Sequence, residues 1–234
     1  MKMRQVWLGE EHLGPNYGVM EAYIKIMKQK PDQVRFREPR NFGWCRREQL
    51  FDDDFCDSFV TLIQNCRGAP ICYVLCIGSK DIRSNLTKKE KEKLLKRFHR
   101  VVSEVHMTPQ AALIVISPLP DSLGLTDHVG DQVDSDLALM CQVKEANSNF
   151  VSKGRIHYLR FRRDRIPLQS RRSLEFFDDA CHLNKKGAEI LAQDIFDLQA
   201  QISGIVFTTE REDFYHATTV LLKAHRARRD EMLD

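Results

Sequence analysis

No stretch of the chain approaches the roughly 18 consecutive apolar residues of a membrane helix, so no such span is expected. Val6-Trp7-Leu8 is too short to be the apolar core of a secretory leader, so none is expected at the N-terminus. The chain has no CxxC pair. Its 7 cysteines are odd in number and scattered, which argues against a disulfide framework or a zinc site. Free thiols in a reducing compartment are the expectation. Internal repeats and Pro/Gly-rich linkers are also missing. With 234 residues, 42% of them hydrophobic, the chain suits one large α/β domain or two small ones. Met1 stands just ahead of the first expected strand, which suggests an excised domain.

Acid is scarce in two segments. Lys153 to Arg172 holds eight basic residues (Lys153, Arg155, Arg160, Arg162, Arg163, Arg165, Arg171, Arg172) against Asp164 alone. Arg35 to Arg47 holds five arginines (Arg35, Arg37, Arg40, Arg46, Arg47) against Glu38 alone. A solvated face would mix signs. Arginine in both suits bidentate phosphate recognition and stacking on bases.

Periodicity predicts alternating elements. Gln5 to Leu8 reads as a strand ending at Gly9, and Tyr17 to Gln29 as a helix. Gln33 to Arg37 alternates as a second strand, with a loop of arginines, Phe42 and Trp44 at its exit. Cations with aromatics are what single-stranded nucleic-acid surfaces use; packing as core is the alternative for these aromatics. Gln49 to Cys66 reads as a helix with Phe51, Phe55, Phe59, Leu62 and Cys66 on one face. Ile71 to Ile77 is an apolar run that reads as a buried parallel strand. Thr87 and Glu90 form a capping-box signature for a helix whose stripe is Leu94, Leu95, Phe98, Val101, Val102 and Val105. Its basic outer face reads as solvated surface or an extension of a basic patch. Ala111 to Ile116 is a fourth strand, 121–131 a loop and Val133 to Val143 a short helix. Arg155 to Phe161 is a fifth strand. Asn184 caps a last helix with Ile190, Leu191, Ile195, Leu198 and Ile202 inward.

Five strands alternating with helices imply a flavodoxin-like three-layer α/β sandwich, a five-stranded parallel sheet with helices on both faces. Sites in such sheets lie at the carboxyl ends of the strands. The loops 9–16, 38–47, 78–86, 117–131 and 162–183 are therefore expected on one edge. The domain is expected to span 1–204, with 205–234 a helical extension that docks on it or forms an interaction tail.

Three stretches carry chemistry: Gly9-Glu10-Glu11, Gly78-Ser79-Lys80-Asp81, and Asp179-Ala180-Cys181-His182-Leu183-Asn184 with Gly187. Their order and settings resemble the SGNH (GDSL-type) hydrolases. The resemblance implies a site of serine, oxyanion-hole asparagine, Asp and His. Glu11 stands in the serine's place and Lys80 in the asparagine's, while Asp179 and His182 match. Hydrolysis needs a nucleophile, a base and neutral donors for the oxyanion, so the reading expects no enzyme. Glu11, Lys80, Asp179 and His182 would be vestigial, with a Glu11–Lys80 ion pair plugging the old site. Ser79 and Cys181 are weaker candidates for a displaced nucleophile.

A branch of that family, the OSK-type domains of insect germ-plasm proteins, lacks the serine, carries basic loops and binds messenger RNA. Resemblance to it implies RNA as partner, with germ-granule proteins and no membrane. It also implies a cytoplasmic ribonucleoprotein-granule setting, with the nucleus as alternative. Neither cofactor nor metal is expected. The RNA contacts expected are Arg35, Arg37, Arg40, Trp44, Arg46, Arg47, Arg160, Arg162, Arg163, Arg165, Arg171 and Arg172. A residual ester hydrolase using Asp179 and His182, and a protein-interaction scaffold, are the competing readings.

Overall fold

The central strand of the sheet, Ile71–Cys76, is buried along its whole length. In the computed structural model of the protein, its alternate residues feed two separate cores. Cys72, Val74 and Cys76 face one; Ile71, Tyr73 and Leu75 face the other. A strand covered on both faces has no polar side, which is why it reads as a continuous apolar run. The structure describes residues 2–9, 13, 18–33, 36–44, 53–65, 70–77, 81–82, 86–108, 111–117, 128–146, 155–160, 175–178 and 183–202.

Strands β1 (Arg4–Gly9), β2 (Arg40–Trp44), β3 (Ile71–Cys76), β4 (Ala111–Ser117) and β5 (Ile156–Arg160) form one parallel sheet in the order β2-β1-β3-β4-β5. This is the flavodoxin-like doubly wound order, with its switch point between β1 and β3. Helices α1 (Val19–Gln29) and α5 (185–202) cover one face. There Val19, Tyr23, Leu191 and Ile195 pack with Trp7 and Ile114. Helices α2 (Asp53–Asn65), α3 (Lys88–Met107) and α4 (His128–Ala146) cover the other. There Phe59, Phe98, Val102 and Leu137 pack with Tyr73 and Leu113.

Local signals hold at α3. Thr87 Oγ1 accepts from the Glu90 amide at 3.2 Å, and Glu90 accepts from the Thr87 amide at 2.8 Å, closing the capping box. Three expectations need correction. The second strand is Arg40–Trp44, inside the stretch expected to be a loop, while Phe36 makes only an isolated bridge to Met3. Alternation over Gln33 to Arg37 misled because pairing with β1 sets the strand. Helix α4 begins at His128, so 128–131, expected in a loop, are helical. Buried Asp134 explains how polar residues enter that helix: its carboxylate accepts from Ser117 Oγ at 2.8 Å and from the Tyr158 hydroxyl at 2.7 Å. On α2 the buried face is Cys56, Phe59, Val60 and Ile63, rotated from the Phe-led stripe. Phe51 and Cys66 lie outside the described residues, as do 205–234.

Candidate functional site

Gly9, Cys76, Ile116, Leu159 and Trp44 are register partners in one row across the carboxyl end of the sheet. Gly9 pairs with Cys76 on one side and Trp44 on the other, and β1 is irregular between Trp7 and Gly9. Gly9 has φ 137, and a Cβ there would meet the Cys76 carbonyl oxygen at 2.5 Å. Only glycine allows β1 to leave the sheet so close to β3. Glu11 follows two residues after Gly9 in the chain, and Leu13 is buried in the core. On β3, the Ile77 amide donates to the Ile116 carbonyl at 2.9 Å, extending the ladder to the brink of 78–80. Buried Asp81 and Ile82 anchor the far side of that segment.

The third motif is closed by its own flanks. Phe177 and Leu183, which flank the motif in the chain, form an antiparallel bridge. Asn184 Oδ1 accepts from the Gly187 amide at 3.0 Å, which caps α5. Its Nδ2 donates to the Glu175 carbonyl at 2.8 Å, and its amide donates to the Phe176 carbonyl at 3.0 Å. A Cβ on Gly187 would meet that Phe176 oxygen at 2.3 Å. The Asn-x-x-Gly spacing is thus a device for docking 175–177 on the start of α5. A cleft of about 530 Å³ between α1 and α5 lies against Asp178 and Leu183. Its lining mixes Glu21, Asp178 and Glu189 with Lys25 and Lys185.

Glu11, Lys80, Asp179 and His182 lie outside the described residues, as do Ser79 and Cys181. So do Arg35, Arg46, Arg47, Arg162, Arg163, Arg165, Arg171 and Arg172. The backbones of Arg40 and Trp44 lie in β2, and that of Arg160 in β5, the two edges of the sheet. Four interstrand steps at ~4.8 Å separate those edges by ~19 Å. Arg37 is exposed, but at the other end of the sheet. Its amide donates to the Met3 carbonyl at 2.8 Å, roughly 20 Å along the strands from the Trp44 row at ~3.3 Å per residue. Of the first arginine cluster, Arg37 thus lies at the amino end of the sheet and the Arg40 backbone pairs with Val6 in mid-strand.

Arg155 leaves the basic surface altogether. It is buried, and Nη1 donates to the Thr108 and Ala111 carbonyls at 2.7 and 2.6 Å. Nη2 reaches the His106 carbonyl at 3.3 Å. It binds the end of α3 to the start of β4. Two polar groups were not foreseen from the sequence. Asp134 bonds the carboxyl end of β4 to α4, and burial, followed by the Asp134 charge, pushes the Tyr158 phenol well above its usual range. Under α1 and α5, Gln199 Nε2 donates to Gln5 Oε1 at 2.9 Å, Trp7 Nε1 donates to Gln5 Oε1 at 2.8 Å, and Tyr23 donates to Gln199. Burial raises the Tyr23 phenol and pushes the adjacent Cys72 thiol up to about 12. The signals for this network were polar Gln5 beside Val6-Trp7 and Gln199 between Leu198 and Ile202. Asp81 belonged to the second motif, but its full burial was unmarked by its neighbours. Among the described residues, no group of three or more His, Cys, Asp or Glu is arranged to hold a metal ion, and no helix is long and apolar enough to cross a membrane.

No family model and no curated protein matches the chain. Solved structures do. An acetyl xylan esterase, AlAXEase, superposes with a TM-score of 0.55 at 14% identity, covering 83% of this chain and 98% of its own. The salicylyl-acyltransferase SsfX3, from a tetracycline biosynthetic pathway, gives a TM-score of 0.55 at 14% identity over 83% of this chain. The match covers 53% of the SsfX3 chain. The fold shared with these structures is the α/β sandwich, a parallel sheet flanked by helices, that the alternation of elements implied. The expectation of a non-enzyme is corrected. Both of these relatives in fold are enzymes, and the substitutions on which it rested, Glu11 and Lys80, lie outside the described residues.

Proposed function

We propose that the chain binds RNA through arginine-bearing segments at the carboxyl end of its sheet. One observation carries the reading: the Trp44–Gly9–Cys76–Ile116–Leu159 row. Arg46 and Arg47 follow Trp44 in the chain, and Arg162, Arg163 and Arg165 follow Arg160. The two basic segments therefore leave from the same end of the domain, on opposite edge strands. Arginines at both rims of one sheet end suit a polyanion laid across it, with phosphate contacts dominating affinity. Stacking on Trp44, Phe42 or guanidinium planes would supply base preference. Arg155 and Arg37 are not among the contacts on this reading.

The finer form of the proposal comes from resemblance to the C-terminal domain of Oskar. It names messenger RNA, including 3′ untranslated regions, bound in cytoplasmic germ-plasm granules with other granule proteins. The test is a filter-binding salt series on single-stranded and structured RNA. Arg46→Glu and Arg172→Glu are each expected to weaken binding and reduce the slope against log salt by about one. Unchanged affinity in both sinks the proposal.

A second reading is supported by the enzyme folds and by the cleft against Asp178 and Leu183, the residues flanking 179–182. On it, Asp179 orients His182, and His182 deprotonates a nucleophile for acyl-ester hydrolysis. Turnover of a short acetyl ester that His182→Ala abolishes is its positive result. Absence of turnover by the wild-type chain rejects it.

A further inference from the structure

We infer that the outer face of α3 is a second contact for the RNA backbone, continuing from the carboxyl end of the sheet down the side of the domain. This rests on the RNA reading above. Helix α3 starts just after β3 leaves the sheet and ends where β4 begins, so Lys88 and Lys89 stand at the carboxyl end and Met107 at the amino end. Its basic residues fall into two sets. Lys91 pairs with Asp136 of α4 at 2.9 Å, while Arg97 and Arg100 pair with Asp53 and Asp57 of α2. These ions hold α3 to its neighbours. Lys88, Lys89, Lys93 and Lys96 are exposed, and none has an ion-pair partner among the described residues.

The unpaired set is arranged against the helix's own stability. Lys89, Lys93 and Lys96 follow the i, i+4, i+7 spacing, so they share one stripe and repel each other. The stripe is ~10 Å long at 1.5 Å per residue. Lys88 and Lys89 also occupy the first turn, where the positive end of the helix dipole disfavours cations. Glu92 is the one exposed acid among them. Glu92 stands i+4 from Lys88 and i−4 from Lys96 and offsets part of this charge, but the four lysines still outnumber it, and none is held in an ion pair among the described residues. Local choices that oppose the fold mark positions selected for something else. A phosphate backbone supplies the missing negative charge. It relieves the repulsion only while bound.

The experiment compares the full chain with a Lys89→Gln, Lys93→Gln, Lys96→Gln triple variant, on single-stranded RNA of 10 and of 30 nucleotides. The expected result for the variant on the longer RNA is about tenfold weaker binding and a salt slope reduced by about two, near 0.7 per lost contact. The shorter RNA is expected to lose little. Thermal stability should be equal or higher, because the substitutions remove repulsion; this separates lost contacts from lost fold. Unchanged affinity and slope on both RNAs overturn the inference, and Arg46→Glu weakening in the same assay leaves the edge reading intact. Weakening by the triple variant while Arg46→Glu and Arg172→Glu bind as the wild type sinks the edge reading, and with it the claim that α3 is a second contact continuing from that edge. Capture of an acidic protein that the variant loses while RNA affinity stays unchanged also overturns it.

Discussion

Gly187 carries no side chain because the Phe176 carbonyl oxygen stands 2.3 Å from where its Cβ would be. The contact seats the segment before 179–182 on the first turn of α5. Alanine is normally the better helix residue by about 1 kcal/mol. Here Gly187→Ala is expected to destabilise the fold instead, by roughly 1–3 kcal/mol, as overpacking does. Chemical denaturation measures it; a stabilised variant rejects the docking geometry.

Asn184 serves the same junction with three hydrogen bonds, to the Gly187 amide, the Glu175 carbonyl and the Phe176 carbonyl. Asn184→Ala removes the two made by the side chain. A loss of about 1–2 kcal/mol is expected, at the upper end for a cap because a second tie goes with it. Asn184→Asp keeps the cap but not the donor to Glu175, and should fall between.

Arg155 and the edge arginines should separate cleanly. Arg155→Met removes the guanidinium donor from the Thr108 and Ala111 carbonyls, although the Ala111 amide still donates to the Thr108 carbonyl at 3.0 Å. A loss of roughly 1–3 kcal/mol is expected, the cost of a buried polar group that loses its partner. RNA affinity of the folded variant should not change. Arg46→Glu should do the reverse, with an unchanged melting temperature and weaker RNA binding.

Cys56, Cys72, Cys76 and Cys141 are buried. Burial holds the Cys72 thiol up to about 12, far from the thiolate that reacts with alkylating reagents. In native protein its labelling by iodoacetamide, followed by peptide mass spectrometry, should proceed only through unfolding. Tyr23→Phe removes the hydroxyl that donates to Gln199 beside it. That variant should speed Cys72 labelling in proportion to its lost stability.

Asp136 gives a pH dependence of known sign. Partial burial pushes its carboxyl up, but hydrogen bonds from Lys91 and Gln132 and the Lys91 charge outweigh this and hold it below the usual value. A depressed carboxyl contributes stability above its unfolded pKa, near 3.9, and loses it as pH falls through the folded value. The difference between wild type and Asp136→Asn should be constant above about pH 5 and vanish in acid. Its size should stay under about 1 kcal/mol, since the Lys91–Asp136 pair is partly exposed.

What the sequence determined by itself was everything set within a few residues. The double-sided burial of Ile71–Cys76, the Thr87–Glu90 box and the Asn184 cap are local, so composition and spacing specify them. The alternation of elements also implied the parallel sheet. Tertiary structure alone decided the rest, because strand pairing joins residues distant in sequence. Pairing with β1 made Arg40–Trp44 a strand and sent Arg37 to the opposite end from the Trp44 row. Packing against the end of α3 buried Arg155, which sequence cannot tell from its exposed neighbours. The same holds for Gln5, Tyr23 and Gln199, polar groups whose partners come from three separate elements and are found only when the core closes.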